Sequence, residues 1–236
     1  MISGTLDDLR TTHVEGATFA QYASDNKALV SSGSDGDLRY YPEFYADETE
    51  SVSVGAKVTC LALVGDLVVV ANDVFEVKSF SLPSLQLQNV LLRFTALVNH
   101  VFVQSDRKLI GAASSDFMIK VVNVDGGEQK TFLGHEAPVM CLYIDQKTLV
   151  SSSCDGTIRT WNISDQTCTK TVTVLPKSNL VPETGRLFSM VEKPEQLMAI
   201  PCGKHVKVLS GDSWTEKLNL EEHQEEVFYC TFTINK

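Results

Sequence analysis

The stretch Leu149-Val-Ser-Ser-Ser-Cys-Asp155-Gly-Thr-Ile-Arg-Thr-Trp161 decides how this chain folds. A serine-rich strand runs into an Asp-Gly turn, and a second strand leaves it and ends on an aromatic residue. The phrase stands earlier as Leu29-Val-Ser-Ser-Gly-Ser-Asp35-Gly-Asp-Leu-Arg-Tyr-Tyr41. A weaker copy reads Leu109-Ile-Gly-Ala-Ala-Ser-Ser-Asp116-Phe-Met-Ile-Lys-Val-Val122. Between the turn aspartates, 81 residues separate Asp35 from Asp116 and 39 separate Asp116 from Asp155. One period near 40 fits both gaps if a degraded copy lies in the first. Leu67-Val-Val-Val-Ala-Asn72-Asp73-Val-Phe-Glu-Val-Lys-Ser-Phe80 is that copy. The histidines keep the same phase, since His135 follows His13 by 122 residues, three periods.

A period of roughly 40–45 residues with four short strands per unit is the signature of WD40 β-propeller blades. The expected fold is all-β, with about five blades and the first strand of a sixth. Residues 1–10 read as an N-terminal tail, and the blades as 11–48, 49–88, 89–128, 129–170 and 171–217, with a sixth starting at 218–236. The fifth is looser: Arg186 to Val191, Gln196 to Pro201 and Lys204 to Leu209 alternate as strands, but Cys202-Gly-Lys204 replaces the turn aspartate. A seven-bladed ring needs about 280–315 residues, so this chain of 236 is expected to be an incomplete ring, a piece of a longer protein.

Composition narrows the function. The formal net charge of −10, with no run of Lys or Arg, disfavours direct binding to DNA or RNA by this segment. The acidic stretch 221–226 reads as a solvated loop. The six cysteines form no C-x-x-C pair and no zinc-ligand spacing. Cys60, Cys141 and Cys230 sit in apolar strand patterns, as small buried hydrophobes do. The N-terminus lacks a basic region followed by an apolar one, and the apolar runs are too short to span a bilayer. The expected protein is soluble and intracellular, without a membrane partner.

His135, a serine of the second strand, Asp155 and Trp161 superficially suggest a hydrolytic triad. The same residue types within one blade form a structural chain: turn Asp to His, His to Ser, hydroxyl to the Trp ring N–H. Buried polar groups must be partnered or cost about 1–3 kcal/mol each. Alternation puts Ser151 and Ser153 on one face; Ser151 is the preferred member. The first blade carries His13, Ser31 and Asp35, with Tyr41 where Trp is expected. No G-x-S-x-G elbow, Gly-rich phosphate loop or H-x-x-x-H pattern is present, and His100, His205 and His223 stand isolated. No catalytic residue, metal or cofactor is expected.

Further stretches go beyond the generic repeat. Among them are Leu92-Arg-Phe-Thr95, Asn99-His-Val-Phe102, Ala113-Ser-Ser-Asp-Phe-Met-Ile-Lys-Val121, Lys130-Thr-Phe-Leu-Gly-His-Glu-Ala-Pro-Val139 and Ser153 through Cys168. In this order along the chain they resemble the N-terminal propeller of the acidic nucleoplasmic, WD-repeat and HMG-box DNA-binding proteins, a family of replisome adaptors. The resemblance implies a non-enzymatic scaffold in the nucleus, linking the replicative helicase to DNA polymerase alpha, with roles in replication, cohesion and repair. The family's trimerisation and DNA binding belong to a second propeller and an HMG box, neither of which matches residues here. Loops at one end of a propeller converge on a wide surface, so Ser34, Ser115, Cys154, Glu136 and Pro138 are candidates for a partner-binding face. The alternative is a substrate receptor of a ubiquitin ligase, or a WD40 scaffold outside replication. The arginine that such receptors carry after Trp-Asp is absent, since Trp161 is followed by Asn-Ile-Ser.

Overall fold

A computed structural model describes residues 13, 16–22, 28–42, 49–104, 109–145, 147–174, 189–191, 197–202, 204–211, 214–225, 227 and 230. They form five four-stranded antiparallel sheets, each a meander in chain order. Blade one is β1 (Ala17–Tyr22), β2 (Leu29–Gly33), β3 (Asp37–Tyr41) and β4 (Glu50–Ser53). Blade two is β5 (Val58–Val64), β6 (Leu67–Asn72), β7 (Glu76–Ser81) and β8 (Gln86–Arg93). Blade three is β9 (Val98–Gln104), β10 (Leu109–Ser114), β11 (Ile119–Asn123) and β12 (Lys130–Phe132). Blade four is β13 (Val139–Ile144), β14 (Thr148–Ser153), β15 (Thr157–Asn162) and β16 (Cys168–Thr173). Blade five is β17 (Ser189–Val191), β18 (Leu197–Cys202), β19 (His205–Ser210) and β20 (Thr215–Leu220).

Composition grades outward across each blade. Second strands are buried on both faces, so they are written in small and β-branched residues: Leu-Val-Val-Val-Ala in β6, Val-Ser-Ser-Ser in β14. Outer strands are solvated, and β20 (Thr-Glu-Lys-Leu-Asn-Leu) is exposed along its whole length. Consecutive blades share one apolar layer each. Val30 and Leu38 meet Val68 and Phe80; Val69 and Val77 meet Ile110 and Val122; Ala113 and Ile119 meet Leu149 and Trp161; Val150 and Ile158 meet Met198 and Trp214. On the far side of blade five, Val227 and Cys230 pack against Ala199, Val206 and Val208.

The repeat extends to backbone irregularities. Each of the first four blades has a β-bulge in its inner strand, at Thr18, Thr59, Asn99 and Met140, 40 or 41 residues apart. A bulge re-aims a side chain, and two of these reach the next blade. Thr59 Oγ1 donates to the Val98 carbonyl at 3.1 Å, and Asn99 Nδ2 to that of Val139 at 2.8 Å. The turns after the second strands repeat too. The amides of Gly36, Phe75, Phe117 and Gly156 each donate to the carbonyl three residues back. All four have positive φ, between 66° and 79°. Glycine adopts this backbone freely, whereas blades two and three hold phenylalanine there, against the usual preference.

The unit boundaries drawn from sequence need correction. Every fourth strand runs past its assigned limit, because solvated outer strands carry no alternation to mark them. Thus 50–53 belongs with blade one and 218–220 with blade five, not with a sixth unit. The N-terminal tail and most of the sixth unit expected at 218–236 beyond residue 225 lie outside the described residues.

His100 belongs to this frame. Its Nδ1 accepts the Leu142 amide at 3.4 Å, tying blade three to blade four, and burial pushes the imidazole down from 6.5 to about 4. A histidine depressed in the fold favours folding while neutral. That stability is complete above the unfolded value of 6.5 and is lost as pH falls toward 4. Acidification from pH 6.5 to 5 is therefore expected to cost about 1 kcal/mol of stability that His100→Gln does not lose. Identical slopes of stability against pH for the two proteins, measured by urea unfolding, would rule this out.

Candidate functional site

In a four-stranded meander, the turn between strands two and three lies at the same end as the link to the next blade. The turn aspartates and the histidine loops therefore share one end of the propeller. In blade four, His135 Nδ1 is 2.7 Å from Asp155 Oδ2 and its Nε2 is 2.8 Å from Ser151 Oγ. Trp161 Nε1 donates to Ser151 Oγ at 2.9 Å. One proton arrangement satisfies every atom: indole N–H to Ser151, Ser151 O–H to Nε2 of a neutral His135, and Nδ1–H to the ionised Asp155. Ser153 turns elsewhere and donates to the Ala137 carbonyl at 3.0 Å.

Asp155 is 4% exposed. Burial alone would raise its carboxyl, but His135, Thr157 and the Glu136 amide donate to it and together hold it well below the ordinary carboxylate range. Ser151 is fully buried, with Trp161 and His135 on its two sides, so no substrate can approach its hydroxyl. The arrangement braces a turn against a loop.

Blade one repeats the chain in part. His13 lies 2.9 Å from Asp35 Oδ1 and 2.8 Å from Ser31 Oγ. Tyr41 does not complete it: its hydroxyl is buried without a hydrogen-bond partner among the described residues. A phenol places its donor differently from an indole N–H, and here it does not reach Ser31. Gly33 makes room for the cluster, since a Cβ there would strike His13 Nδ1 and Asp35 Oδ1. Gly33→Ala is accordingly expected to cost about 2 kcal/mol, read as a lower urea midpoint; an unchanged midpoint would mean that the His13–Asp35 contact is dispensable.

Blade three keeps the aspartate with a smaller partner. Asp116 accepts from the Thr95 amide and hydroxyl at 3.0 and 3.1 Å. In blade two Asn72 Oδ1 takes the Glu76 amide at 2.9 Å. Blade five lacks the aspartate turn, as Cys202 pairs directly with His205.

The candidate face residues all lie at this end. Glu136 is exposed, and Ser34, Ser115 and Pro138 are half-buried. Ser115 is engaged with the Asn99 side chain. Cys154 requires correction, since it is only 7% exposed and offers a partner no side chain. Its position beside the turn suggested exposure, but its amide is held to the Pro138 carbonyl and its side chain points inward. Sequence reasoning passed over four exposed apolar residues at this end, Val74, Leu97, Phe117 and Leu133. The available signal was Phe117, which occupies the glycine place of the repeated turn. Trp214 was also missed; its indole N–H donates to Thr160 Oγ1 at 3.2 Å and joins blades four and five. Among the described residues no cluster of His, Cys, Asp and Glu could hold a metal ion, and no helix is long and apolar enough to cross a membrane.

The family model described as the first WD40 domain of WDHD1 matches residues 10–235. The chain belongs to the WDHD1 family. It is similar to WD repeat and HMG-box DNA-binding protein 1 of Mus musculus, with 38% identity over 223 residues, covering 92% of this chain and 20% of that protein. The Homo sapiens protein of the same name is 38% identical over 226 residues, covering 93% of this chain and 20% of its own length. The chain thus spans about one fifth of these WDHD1 relatives. The crystal structure of the computationally designed Ika8 protein has the same kind of fold, with a TM-score of 0.71 at 16% identity, covering 95% of this chain and 67% of that one.

Proposed function

We propose that this WDHD1-type propeller is a non-enzymatic docking platform of the DNA replication machinery in the nucleus. In this reading it gathers replication proteins, with polymerase alpha and helicase components as the expected partners, and does not bind nucleic acid directly. The observation that carries it is the turn-aspartate end, where loops from successive blades are pinned in place by repeated hydrogen bonds. Ser34, Ser115 and Glu136 form the polar part of the docking face, with Pro138 beside them. Val74, Leu97, Phe117 and Leu133 supply exposed apolar anchors, whose covering by a partner removes apolar area from water. The acidic balance of the chain, −10, favours protein over nucleic acid as the ligand.

The test follows a fluorescently tagged chain in replicating cells, scored against sites of nucleotide incorporation. Accumulation at those sites, reduced by Phe117→Asp combined with Leu133→Asp, supports the reading. A chain that stays away from replication sites, or a double variant that accumulates normally, contradicts it. Urea midpoints of both proteins confirm that the variant is folded.

A further inference from the structure

In blades one, two and four the outer strand stays paired with the third strand up to the turn. The pairs Asp37–Ser53, Glu76–Arg93 and Thr157–Thr173 stand at this end. One bond beyond each pair seals the turn to the link that follows. The Val54, Phe94 and Val174 amides donate to the carbonyls of Gly36, Phe75 and Gly156 at 2.8, 3.0 and 2.9 Å. In blade three the pairing stops one step short, at Ile119 and Phe132. Its seal is open as well. By position the Gly134 N–H would donate to the Phe117 carbonyl, but among the described residues neither group has a partner.

The cause lies in the next residue. His135 is anchored to Asp155 and Ser151 of blade four, so the link turns toward them early. Gly134 takes a φ of 145° so close to blade four that a Cβ would stand 2.8 Å from Arg159 Nη1 and 3.3 Å from Trp161 Cη2. The gap left at blade three is flanked by Phe117, 42% exposed, and Leu133, 64% exposed. Phe117 also keeps an unfavourable backbone, with a φ of 71°. Phe75 holds the same place in blade two, but its ring packs against the core between blades two and three. Among the described residues no core cluster takes the Phe117 ring. Backbone strain kept at an exposed side chain, with no packing in return, points to a functional position.

We infer that this gap takes an extended, uncharged segment of a partner protein, which completes the open β11–β12 ladder with its own backbone. One residue of the segment donates its N–H to the Phe117 carbonyl and accepts the Gly134 N–H on its C=O. The two groups face one gap, because their counterparts in the other blades bond each other directly. Apolar side chains before and after that residue lie on Phe117 and Leu133 and remove their area from water. This is strand addition, in which main-chain bonds supply affinity and flanking side chains specificity. Charge does not select the occupant. Asp116 is engaged by Thr95 and the Met118 amide, and Lys120 by the Arg93 carbonyl, while Glu136 stands exposed on the link. The inference rests on reading this end as the docking face and names the chemistry taken there, backbone and apolar surface.

The test is amide exchange of the full chain by NMR, followed by titration with acetyl-Ser-Val-Leu-Val-Ser-amide. In the free chain the Gly134 amide should exchange at least about tenfold faster than those of Phe94 and Val174. Saturable binding that slows exchange at Gly134 supports the site. A twin N-methylated at its three central residues lacks the donors and should bind at least about tenfold more weakly. Leu133→Ser should weaken binding to a similar degree. Phe117→Gly should abolish it while raising the urea midpoint, because glycine adopts this backbone freely. Gly134 exchange as slow as that of Phe94, no saturation in the millimolar range, or equal binding of the N-methylated twin overturns the inference. Urea midpoints at or above that of the parent separate lost binding from lost folding. Peptide binding by a chain that stays away from replication sites contradicts the replication role while supporting this site.

Discussion

Replacing Trp161 with alanine is expected to lower the unfolding free energy by about 4 kcal/mol, the upper range for emptying an aromatic core site. Trp161 is 1% exposed and meets Phe132 edge-on at 5.9 Å and His135 at 5.8 Å. It also stands in the layer between blades three and four, beside Ala113, Ile119 and Leu149. Removing the indole therefore opens a void at a blade interface and strips Ser151 of its N–H donor. Trp161→Phe separates the two effects. It retains most of the filling but not the bond to Ser151 Oγ, so a loss of about 1 kcal/mol is expected. Since domains of this kind are stable by only about 5–15 kcal/mol, the alanine variant should approach spontaneous unfolding. Urea midpoints within experimental error of the parent for Trp161→Ala would show that the blade interface is not held by this residue.

How much of this was readable from the chain follows from where each signal resides. Asp35, Asp116 and Asp155 announce their turns because a tight turn constrains a few consecutive residues, and its chemistry is local. The same holds for His135 and Ser151, whose strand and loop positions recur at the blade period. Outer strands escaped. Glu50–Ser53 and Thr215–Leu220 face water on most of their surface, so neither period nor hydrophobicity separates them from a loop. Trp214 lay hidden for another reason: its partner Thr160 is 54 residues away, in a neighbouring blade. The seam between blades three and four is assembled likewise: Lys130 Nζ reaches the Ile163 carbonyl 33 residues away, and neither segment carries a motif that announces it. Local chemistry is written in short words, whereas surfaces between repeats come from assembly.

Asp155→Asn is the second large effect, and its pH dependence distinguishes a charged brace from mere packing. Oδ2 of Asp155 accepts from His135 Nδ1 and the Glu136 amide at 2.7 and 3.1 Å. Oδ1 accepts from the Thr157 amide and hydroxyl at 2.8 and 2.6 Å. A carboxylate serves both sets; an amide presents its NH2 to one of them, donor against donor, whichever way it is turned. Buried donors left facing a donor cost about 1–3 kcal/mol each, so a loss of about 3 kcal/mol at pH 7 is expected. The carboxyl is held below its ordinary value of 3.8. The unfolded chain therefore takes up the proton first on acidification. The contribution of the ionised group is complete above about pH 4 and declines as pH falls toward the lower folded value. The gap between parent and Asp155→Asn should be constant from pH 7 to 5 and narrower by about 1 kcal/mol at pH 3. Parallel urea titrations at these pH values give the comparison directly. A gap that stays fixed down to pH 3 would mean that Asp155 braces the turn by shape alone, with its charge contributing nothing.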